Sequence, residues 1–245
     1  MIAASALAPL SLPPTRDLIG VLPELVLGGA FVVLMLADLV VPERRRSWLA
    51  VLSLLGLAGA FAVSVWGWFD AGHGRTVYSG SIAYDRYAMF VNGILLVSAA
   101  LVVMISPQYL NRRGIHHGEY YALILAATTG MMLLAAASSL MVIFLSIELL
   151  SISLYVLSGF ARQEERSQEA ALKYLLLGGF ASGFLLFGMA LVYGETGHTQ
   201  LTQIAVAIRF ATIVVAAPTP ASRPLHISRL VRSLAIAAES NQRSC

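Results

Sequence analysis

Residues 120–160 read YYALILAATTGMMLLAAASSLMVIFLSIELLSISLYVLSGF and contain one acidic or basic side chain, Glu148. A helix needs about 20 apolar residues to cross the hydrocarbon core of a bilayer, and this stretch is about twice as long. Small residues at 135–139 interrupt it near its centre. We therefore expect two membrane-spanning helices, residues 120–137 and 139–160, joined by a tight turn.

The composition and four further apolar runs extend this interpretation to most of the chain. Of the 245 residues, 58% are hydrophobic and 12% are charged, and the mean hydropathy is +0.78, which is far from the values of soluble domains. Residues 204–217 form a weaker run, which is too short and contains Arg209. The predicted fold is all-α, a polytopic membrane helix bundle within residues 18–210. It has six transmembrane helices, the two above and those at residues 18–41, 48–68, 87–106 and 174–193.

Charge is unevenly distributed along the chain. Residues 1–210 carry twelve Lys and Arg against twelve Asp and Glu, so the net charge of +3 comes from an atypical basic tail, residues 211–245. The basic residues form no compact patch with interleaved aromatic residues, and the sequence therefore does not indicate nucleic-acid binding. The single cysteine, Cys245, excludes an intrachain disulfide, a zinc cluster or an iron–sulfur site.

Arginine counts in the short loops predict the orientation of the chain. Loops after the first, third and fifth predicted spans carry seven arginines, whereas the opposite side carries three, Arg16, Arg75 and Arg86. Cytoplasmic loops are enriched in Lys and Arg. We therefore expect the amino terminus outside, with residues 1–17 as an extracytoplasmic segment. No cleaved leader is predicted, because Arg16 follows its mildly apolar stretch instead of preceding it.

Glu148 is the clearest functional candidate, because it lies deepest in an apolar span. A charge at mid-membrane costs about 2.5 to 3.5 kcal/mol on insertion scales, so few such residues are accidental. Burial favours the protonated carboxylic acid unless a cation or several donors stabilise the anion. We interpret Glu148 as a proton carrier. The alternative is a glutamate that bonds to neighbouring helices and contributes only to packing.

Lys173 is a second candidate, because it is the only lysine among sixteen cationic side chains. A desolvated lysine can lose its proton, whereas an arginine in effect cannot. Glu169 lies four residues earlier, in the orientation that favours an ion pair on one helix face. Both residues are therefore candidates for proton translocation. Alternatively, Lys173 extends to the cytoplasmic interface and only follows the charge rule for loops.

Two acids of the first span are weaker candidates. Glu24 follows Pro23, at a depth where it can face a cavity or a neighbouring helix. We include it among the proton-translocation candidates. Asp38 lies close to the cytoplasmic boundary and is expected to form an interfacial ion pair with the arginines at 44–46.

Other motifs predict structure instead of chemistry. The adjacent His116 and His117 have diverging side chains and no third ligand, so we predict no metal site. The spacing of Gly179 and Gly183 indicates close packing with another helix. No pattern of nucleophile and base is present, so no catalytic residue is predicted.

A resemblance to a known family is found in residues 147–199, which read IELLSISLYVLSGFARQEERSQEAALKYLLLGGFASGFLLFGMALVYGETGHT. They resemble subunit N of the proton-pumping NADH-quinone oxidoreductase, respiratory complex I, of the antiporter-like membrane subunit family. Three features carry it: the mid-helix Glu148, a short charged loop and the segment Glu-Ala-Ala-Leu-Lys-Tyr at 169–174. The resemblance extends more loosely over residues 18–210.

The resemblance implies a membrane-arm subunit that couples electron transfer from NADH to quinone with proton translocation through buried Glu and Lys residues. Glu148 matches the family's glutamate of the fifth helix, and Lys173 matches the lysine of the sixth helix. Such a chain is an enzyme only as part of the complex and binds no cofactor itself. NADH, flavin, iron–sulfur clusters and quinone belong to partner subunits. Its implied surroundings are other membrane-arm subunits and the bacterial inner membrane, which it crosses several times.

The chain also departs from the family. It ends after six predicted helices, so the family's broken seventh helix with its central lysine is absent, and the residues from Ala211 onward do not resemble the family. Their content of Pro, Ser and Arg suggests a frameshifted or replaced ending; alternatively, the chain is a short paralogue with a basic tail. Two other functions remain open, a subunit of a multisubunit cation/proton antiporter and an inactive truncated fragment or scaffold.

Overall fold

The structure, a computed structural model, describes residues 15–40, 47–72, 74–113 and 118–216. Within these residues lie eight helices and one two-stranded sheet. In chain order the elements are α1 (Thr15–Gly20), α2 (Leu22–Val40), α3 (Ser47–Asp70), β1 (Arg75–Val77), β2 (Ile82–Tyr84), α4 (Arg86–Arg113), α5 (Glu119–Ala135), α6 (Leu140–Ser158), α7 (Glu165–Thr196) and α8 (Leu201–Ala216).

Among the described helices, five are long and apolar enough to cross a membrane: α2, α3, α4, α6 and α7. The remaining predicted span is α5, which is apolar but has 17 residues, somewhat short of the usual crossing length. The predicted all-α polytopic membrane bundle is confirmed. The boundary of the last span differs, because α7 begins at Glu165, nine residues before the predicted start at 174. Its first turns carry charged residues that a hydropathy window leaves out.

The core of the bundle lies between α2, α3, α4 and α5. Leu27 on α2, Leu57 on α3, Leu96 on α4 and Leu125 on α5 are fully buried and belong to one cluster. Burial of a leucine side chain contributes about 1.5 to 3 kcal/mol in water; inside a lipid bilayer, close packing replaces much of that term. These four helices therefore form the packed part of the chain.

α6 and α7 lie outside this core. α6 packs against α5, where Gly130 allows close approach: a Cβ added there would lie 2.9 Å from the Leu150 amide nitrogen. α7 packs mainly against α6 and contains no buried residue. Its contact centres on Tyr155, whose ring meets that of Tyr174 edge to face, with centroids 4.9 Å apart. One helix of the described bundle is thus attached at its edge.

A β-hairpin interrupts the predicted loop between α3 and α4. Strands β1 and β2 pair antiparallel, with Arg75 opposite Tyr84. The turn places Tyr78 and Ser79 at φ +52° and +55°, a region that non-glycine residues rarely adopt, and Gly80 at +85°. The side-chain amide of Gln200, the residue before α8, donates a hydrogen bond to the Ser79 carbonyl. The all-α prediction missed this hairpin.

The chain divides into two compact units, residues 1–204 and 205–245. The first unit contains every element from α1 to α7. In the second, the structure describes residues 205–216, which belong to α8, the helix formed by the weak apolar run. The prediction of an atypical tail at 211–245 falls mostly outside the described residues, as does that of an extracytoplasmic segment at 1–17, and both remain predictions.

Candidate functional site

Glu148 lies in the middle of α6, two residues after Ser146 and five residues before Ser153, two serines that bond to their own helix. Ser146 donates to the Val142 carbonyl at 2.6 Å, and Ser153 donates to the Leu149 carbonyl at 2.8 Å. Neither hydroxyl proton is therefore directed to the glutamate. The Glu148 Oε1 atom is buried and has no hydrogen-bond partner among the described residues. The structure thus places a carboxylate in the middle of α6 with one buried oxygen that no described residue satisfies.

Glu24 is more deeply buried than Glu148. Its side chain is 4% exposed and lies against Asn92 of α4, which is 0% exposed. The Asn92 Nδ2 atom donates a hydrogen bond of 2.9 Å to Glu24 Oε1. Glu24 Oε2 and Asn92 Oδ1 are both buried without a partner in the part of the chain that the structure describes. Glu24 also lines a groove of about 360 Å³ beside the β-hairpin.

Lys173 and Glu169 form the ion pair that their spacing predicts. The Lys173 ammonium donates to Glu169 Oε1 on one face of α7, and the two side chains are 70% and 62% exposed. The face they occupy is not covered by any other described helix. Within this chain Lys173 is therefore not desolvated, and its burial would need a neighbour that the described residues do not supply.

The structure does not bring Glu148 and Lys173 into direct contact. α6 and α7 run antiparallel, because Gly159 faces Ala171 while Tyr155 faces Tyr174 and Gly178. This register places Lys173 beside the last turn of α6. At a rise of 1.5 Å per residue, Glu148 lies roughly 13 Å away along the helix axis. Any influence of one charge on the other is therefore electrostatic, across two to three helical turns.

Asp38 has a partner other than the one expected. The arginines at 44–46 lie outside the described residues, so the predicted ion pair is not tested. The Gly118 backbone N–H donates to Asp38 Oδ1 at 3.2 Å, immediately before the start of α5. A carboxylate is favoured there by the partial positive charge of the helix amino terminus. Asp38 thus joins the end of α2 to the beginning of α5.

The remaining sequence motifs add no group to the site within the part of the chain that the structure describes. His116 and His117 lie outside the described residues. Among the described ones, no group of three or more His, Cys, Asp or Glu side chains is placed to hold a metal ion. Gly179 and Gly183 do not pack within this chain, since a Cβ on either would meet no described heavy atom within 4 Å. The close-packing glycine of α7 is its neighbour Gly178, which faces Tyr155.

Sequence reasoning missed Asn92 as the partner of Glu24. The two residues are separated by 68 positions, and no local spacing connects them. One signal was present, because Asn92 is the only carboxamide within the predicted span 87–106. A buried polar side chain in such a span needs a partner, and Glu24 is the ionisable residue that meets this need.

Comparison with known proteins agrees with this architecture. A family described as NADH:quinone oxidoreductase/Mrp antiporter, TM, matches residues 137–223. This range includes α6 with Glu148 and all of α7. The family match ends at residue 223, whereas the sequence analysis placed the end of the resemblance at residue 210.

Individual relatives cover a larger part of the chain. NADH-quinone oxidoreductase subunit N of Trichlorobacter lovleyi is 48% identical over 193 residues, which are 78% of this chain and 39% of that protein. Subunit N 1 of Koribacter versatilis is 43% identical over 196 residues, 77% of this chain and 38% of the relative.

A solved structure gives the same result for the fold. Respiratory complex I from Thermus thermophilus with bound aureothin contains a chain that superposes with a TM-score of 0.60 at 30% identity. The match covers 78% of this chain and 42% of that one. The chain thus spans about two fifths of the length of these relatives. Over the part that they share, it belongs to the antiporter-like membrane subunit family that includes subunit N of NADH-quinone oxidoreductase.

Proposed function

We propose that this chain serves in the membrane arm of an NADH-quinone oxidoreductase and takes part in proton translocation coupled to electron transfer from NADH to quinone. It acts only as part of that complex. The observation that carries the proposal is Glu148 Oε1, a buried carboxylate oxygen without a partner among the described residues, in the middle of a membrane-spanning helix. Ionisable groups in such positions are costly and mark proton pathways in membrane proteins.

Glu148 and Lys173 work as an electrostatically coupled pair in this proposal. When Glu148 is ionised, its charge favours protonated Lys173. When Glu148 takes up a proton, that support is lost, and a lysine covered by a neighbouring subunit or helix releases its own proton. Glu169 forms an exposed ion pair with Lys173 on the same face of α7. The pair therefore behaves as a switch between two charge distributions.

The proposed partners are other subunits of the membrane arm and the lipid bilayer. The exposed apolar side chains of α7 are compatible with both. This chain holds no redox group in the proposal; NADH, flavin, iron–sulfur clusters and quinone are bound by partner subunits. The proposed location is the bacterial inner membrane, with the amino terminus outside, as the arginine counts predict.

Proton pumping by the assembled complex tests the role of Glu148. We expect Glu148→Gln to abolish NADH-driven acidification of inverted membrane vesicles, because glutamine has nearly the same shape but cannot take up a proton. Reduction of a soluble artificial acceptor by NADH should stay unchanged, since that reaction needs only the partner subunits. The measurement is the quenching of a pH-sensitive dye on addition of NADH.

Glu195→Gln is the matched control, because Glu195 is an exposed residue of the last turn of α7. Its pumping should equal that of the unmodified complex. If Glu148→Gln pumps as well as Glu195→Gln, the proposed role of Glu148 is wrong. If deletion of the whole chain leaves pumping intact, the chain is an inactive fragment or a scaffold.

A cation/proton antiporter subunit is the second candidate, because the matching family description names the Mrp antiporter together with the oxidoreductase. An antiporter exchanges protons for cations without NADH. The same vesicles, given a sodium gradient and no NADH, distinguish the two. Proton movement that depends on this chain under those conditions would favour the antiporter.

A further inference from the structure

The described residues contain two acidic side chains with a buried oxygen that lacks a partner, Glu148 and Glu24. Glu148 belongs to the function proposed above. Glu24 lies on a different helix, near the start of α2 and beside the β-hairpin. Asp38, Glu119 and Glu169, by contrast, each have a hydrogen-bond or ion-pair partner in the structure. Glu24 therefore needs an explanation of its own.

The contact with Asn92 suits a group that changes its protonation state. An ionised carboxylate compensated by a single amide N–H is costly to bury. A carboxamide has both a donor and an acceptor, so Asn92 can donate to ionised Glu24 and, after rotation, accept from the protonated acid. A lysine or arginine in this position would stabilise only the ionised form. Asn92 Oδ1 has no other partner among the described residues, so the rotation breaks no other bond.

A groove connects Glu24 with the surface of the bundle. Its volume of about 360 Å³ has room for several water molecules, and its lining is mostly apolar apart from Glu24, Tyr78 and Thr129. The groove is lined by Glu24 and Gly28 of α2, Tyr78 and Ile82 of the β-hairpin, and Thr129 of α5. The hairpin thus forms one wall of the route to Glu24. The titratable group on that wall is Tyr78, and Tyr84 of β2 interacts electrostatically with Glu24. Thr129 is the polar group that α5 contributes to the lining, and Asn92 of α4 bonds to Glu24 behind it.

α5 separates this groove from Glu148. A Cβ on Gly28 would lie 3.9 Å from Cγ2 of Thr129, so α2 and α5 approach closely at the groove. The next residue, Gly130, lies against the Ser146 carbonyl and the Leu150 amide of α6, at 3.0 and 2.9 Å from its ideal Cβ position. Glu148 lies between those two residues in the sequence. Consecutive residues of α5 therefore pack against α2 at the groove and against the backbone of α6 in the turn that contains Glu148.

We propose that Glu24, positioned by Asn92, is a second proton-binding site, at which protons pass between the groove beside the β-hairpin and the interior of the bundle. The inference rests on the proposed proton-translocating function. In the loading step, the ionised Glu24 side chain turns its buried Oε2 atom toward the groove and accepts a proton there from a hydronium ion. One O–H bond forms at the carboxylate as one breaks in the hydronium, which leaves a water molecule. The reverse step returns the proton.

Glu24→Gln separates proton binding from a purely structural role. Glutamine at this position still accepts a hydrogen bond from Asn92 Nδ2, so the link between α2 and α4 is retained. A structural role therefore predicts normal pumping, whereas a proton-binding role predicts its loss. We expect NADH-driven pumping by the assembled complex to be lost in Glu24→Gln and in Asn92→Leu.

Ser53→Ala is the control for substitution of a buried polar residue. Ser53 is 0% exposed on α3, and its hydroxyl bonds only to its own helix, at the Ala50 carbonyl. Its pumping should be unchanged. Glu148→Gln, measured beside it, separates the two hypotheses. Normal pumping by Glu24→Gln or Asn92→Leu in a complex that Glu148→Gln inactivates overturns this inference alone; normal pumping by Glu148→Gln overturns the proposed function.

Thiol labelling tests water access to the groove independently of pumping. The chain has one cysteine, so Cys245→Ser provides a background without thiols in this chain. Gly28→Cys lines the groove, and Ala60→Cys, at a position 0% exposed on α3, is the control. The thiolate attacks the sulfenyl sulfur of a methanethiosulfonate and displaces a sulfinate, and the thiolate forms in water and not in hydrocarbon. In right-side-out vesicles of the assembled complex, we expect a charged methanethiosulfonate to label Gly28→Cys and not Ala60→Cys. An unlabelled Gly28→Cys overturns the inference even if Glu24→Gln fails to assemble.

Discussion

Lysine and arginine at position 173 would make the same ion pair but differ in chemistry. The pair with Glu169 is exposed and joins residues four apart on one helix face, so it contributes little to stability. An arginine keeps the charge and the pair, but it does not release a proton under physiological conditions. We therefore expect Lys173→Arg to leave assembly intact and to abolish NADH-driven pumping in vesicles.

Arg166→Lys, also in the first turns of α7, is the control for exchange between the two cations. It should pump normally. If Lys173→Arg pumps at the unmodified rate, the proposed role of Lys173 is wrong. The side chain then only extends to the interface, and the chain needs its positive charge but not its ability to release a proton.

The two best candidates were visible in the sequence, because an acid in an apolar run and a lone lysine are local features. The sequence did not show whether each side chain is buried or whether it has a hydrogen-bond or ion-pair partner. Glu148 Oε1 is buried and has no partner among the described residues, whereas Lys173 is exposed, and hydropathy alone does not distinguish these outcomes. Asn92 required knowledge of which helices are neighbours, since α2 and α4 meet only after folding.

The β-hairpin depends on a cluster around Tyr84. The single proton of its phenol is shared between Asp70 Oδ2 at 3.2 Å and the Gly67 carbonyl at 3.4 Å, and Arg75 lies 4.7 Å from its ring centre. Burial raises the pKa of the Tyr84 phenol above its usual value of 10.0, and Asp70 raises that pKa further. Because the pKa is raised on folding, the phenol stabilises the fold fully below the unfolded-state pKa. This stabilisation is lost as pH rises through the folded-state pKa.

We expect Tyr84→Phe to lower the free energy of unfolding by about 0.5 to 1.5 kcal/mol near neutral pH, the usual net value of a hydrogen bond. The difference from the unmodified chain should shrink at a pH above the phenol pKa. The measurement is unfolding in detergent micelles at both pH values. Tyr87→Phe is the control, because Tyr87 is 69% exposed, and it should have no effect. An equal loss at both pH values would contradict the assignment to the phenol proton.

Element type was predictable here wherever a helix crosses the membrane, because length and hydropathy together are sufficient. The hairpin was not, since each strand has three residues and too few positions for an alternating pattern. The start of α7 was misplaced for a related reason. Its first two turns, with Glu165 and Glu169, are polar and continue the helix outside the apolar run.

At the scale of the whole chain, the described helices differ in how much of their surface is covered. The helices α2 to α5 share the core, α6 covers α5, and α7 has its main contact with α6 alone. Hydropathy treats all of these helices alike, so this order of packing was not predictable from the sequence. The exposed face of α7 carries Gly179, Gly183 and the ion pair of Lys173. A neighbouring subunit that covered this face would desolvate Lys173. In the proposed mechanism, proton release by Lys173 therefore depends on assembly of the complex.

Two adjacent glycines of α7 test this arrangement. A side chain on Gly178 would overlap the Tyr155 ring, whereas one on Gly179 meets no described heavy atom within 4 Å. Gly178→Leu should therefore weaken the packing of α7 on α6 by about 1 to 3 kcal/mol, the usual cost of overpacking. Gly179→Leu should change stability by less than about 0.5 kcal/mol.

The expected sign of α7 release is faster proteolysis of the connection at 159–164 in detergent micelles, with the unfolding temperature of the remaining helices unchanged. That combination follows because α7 contributes no buried residue to the core. Equal protease resistance of Gly178→Leu and Gly179→Leu would show that α7 is held by contacts other than Tyr155. A parallel loss of the core's unfolding transition in Gly178→Leu would show that α7 and the core fold as one cooperative unit.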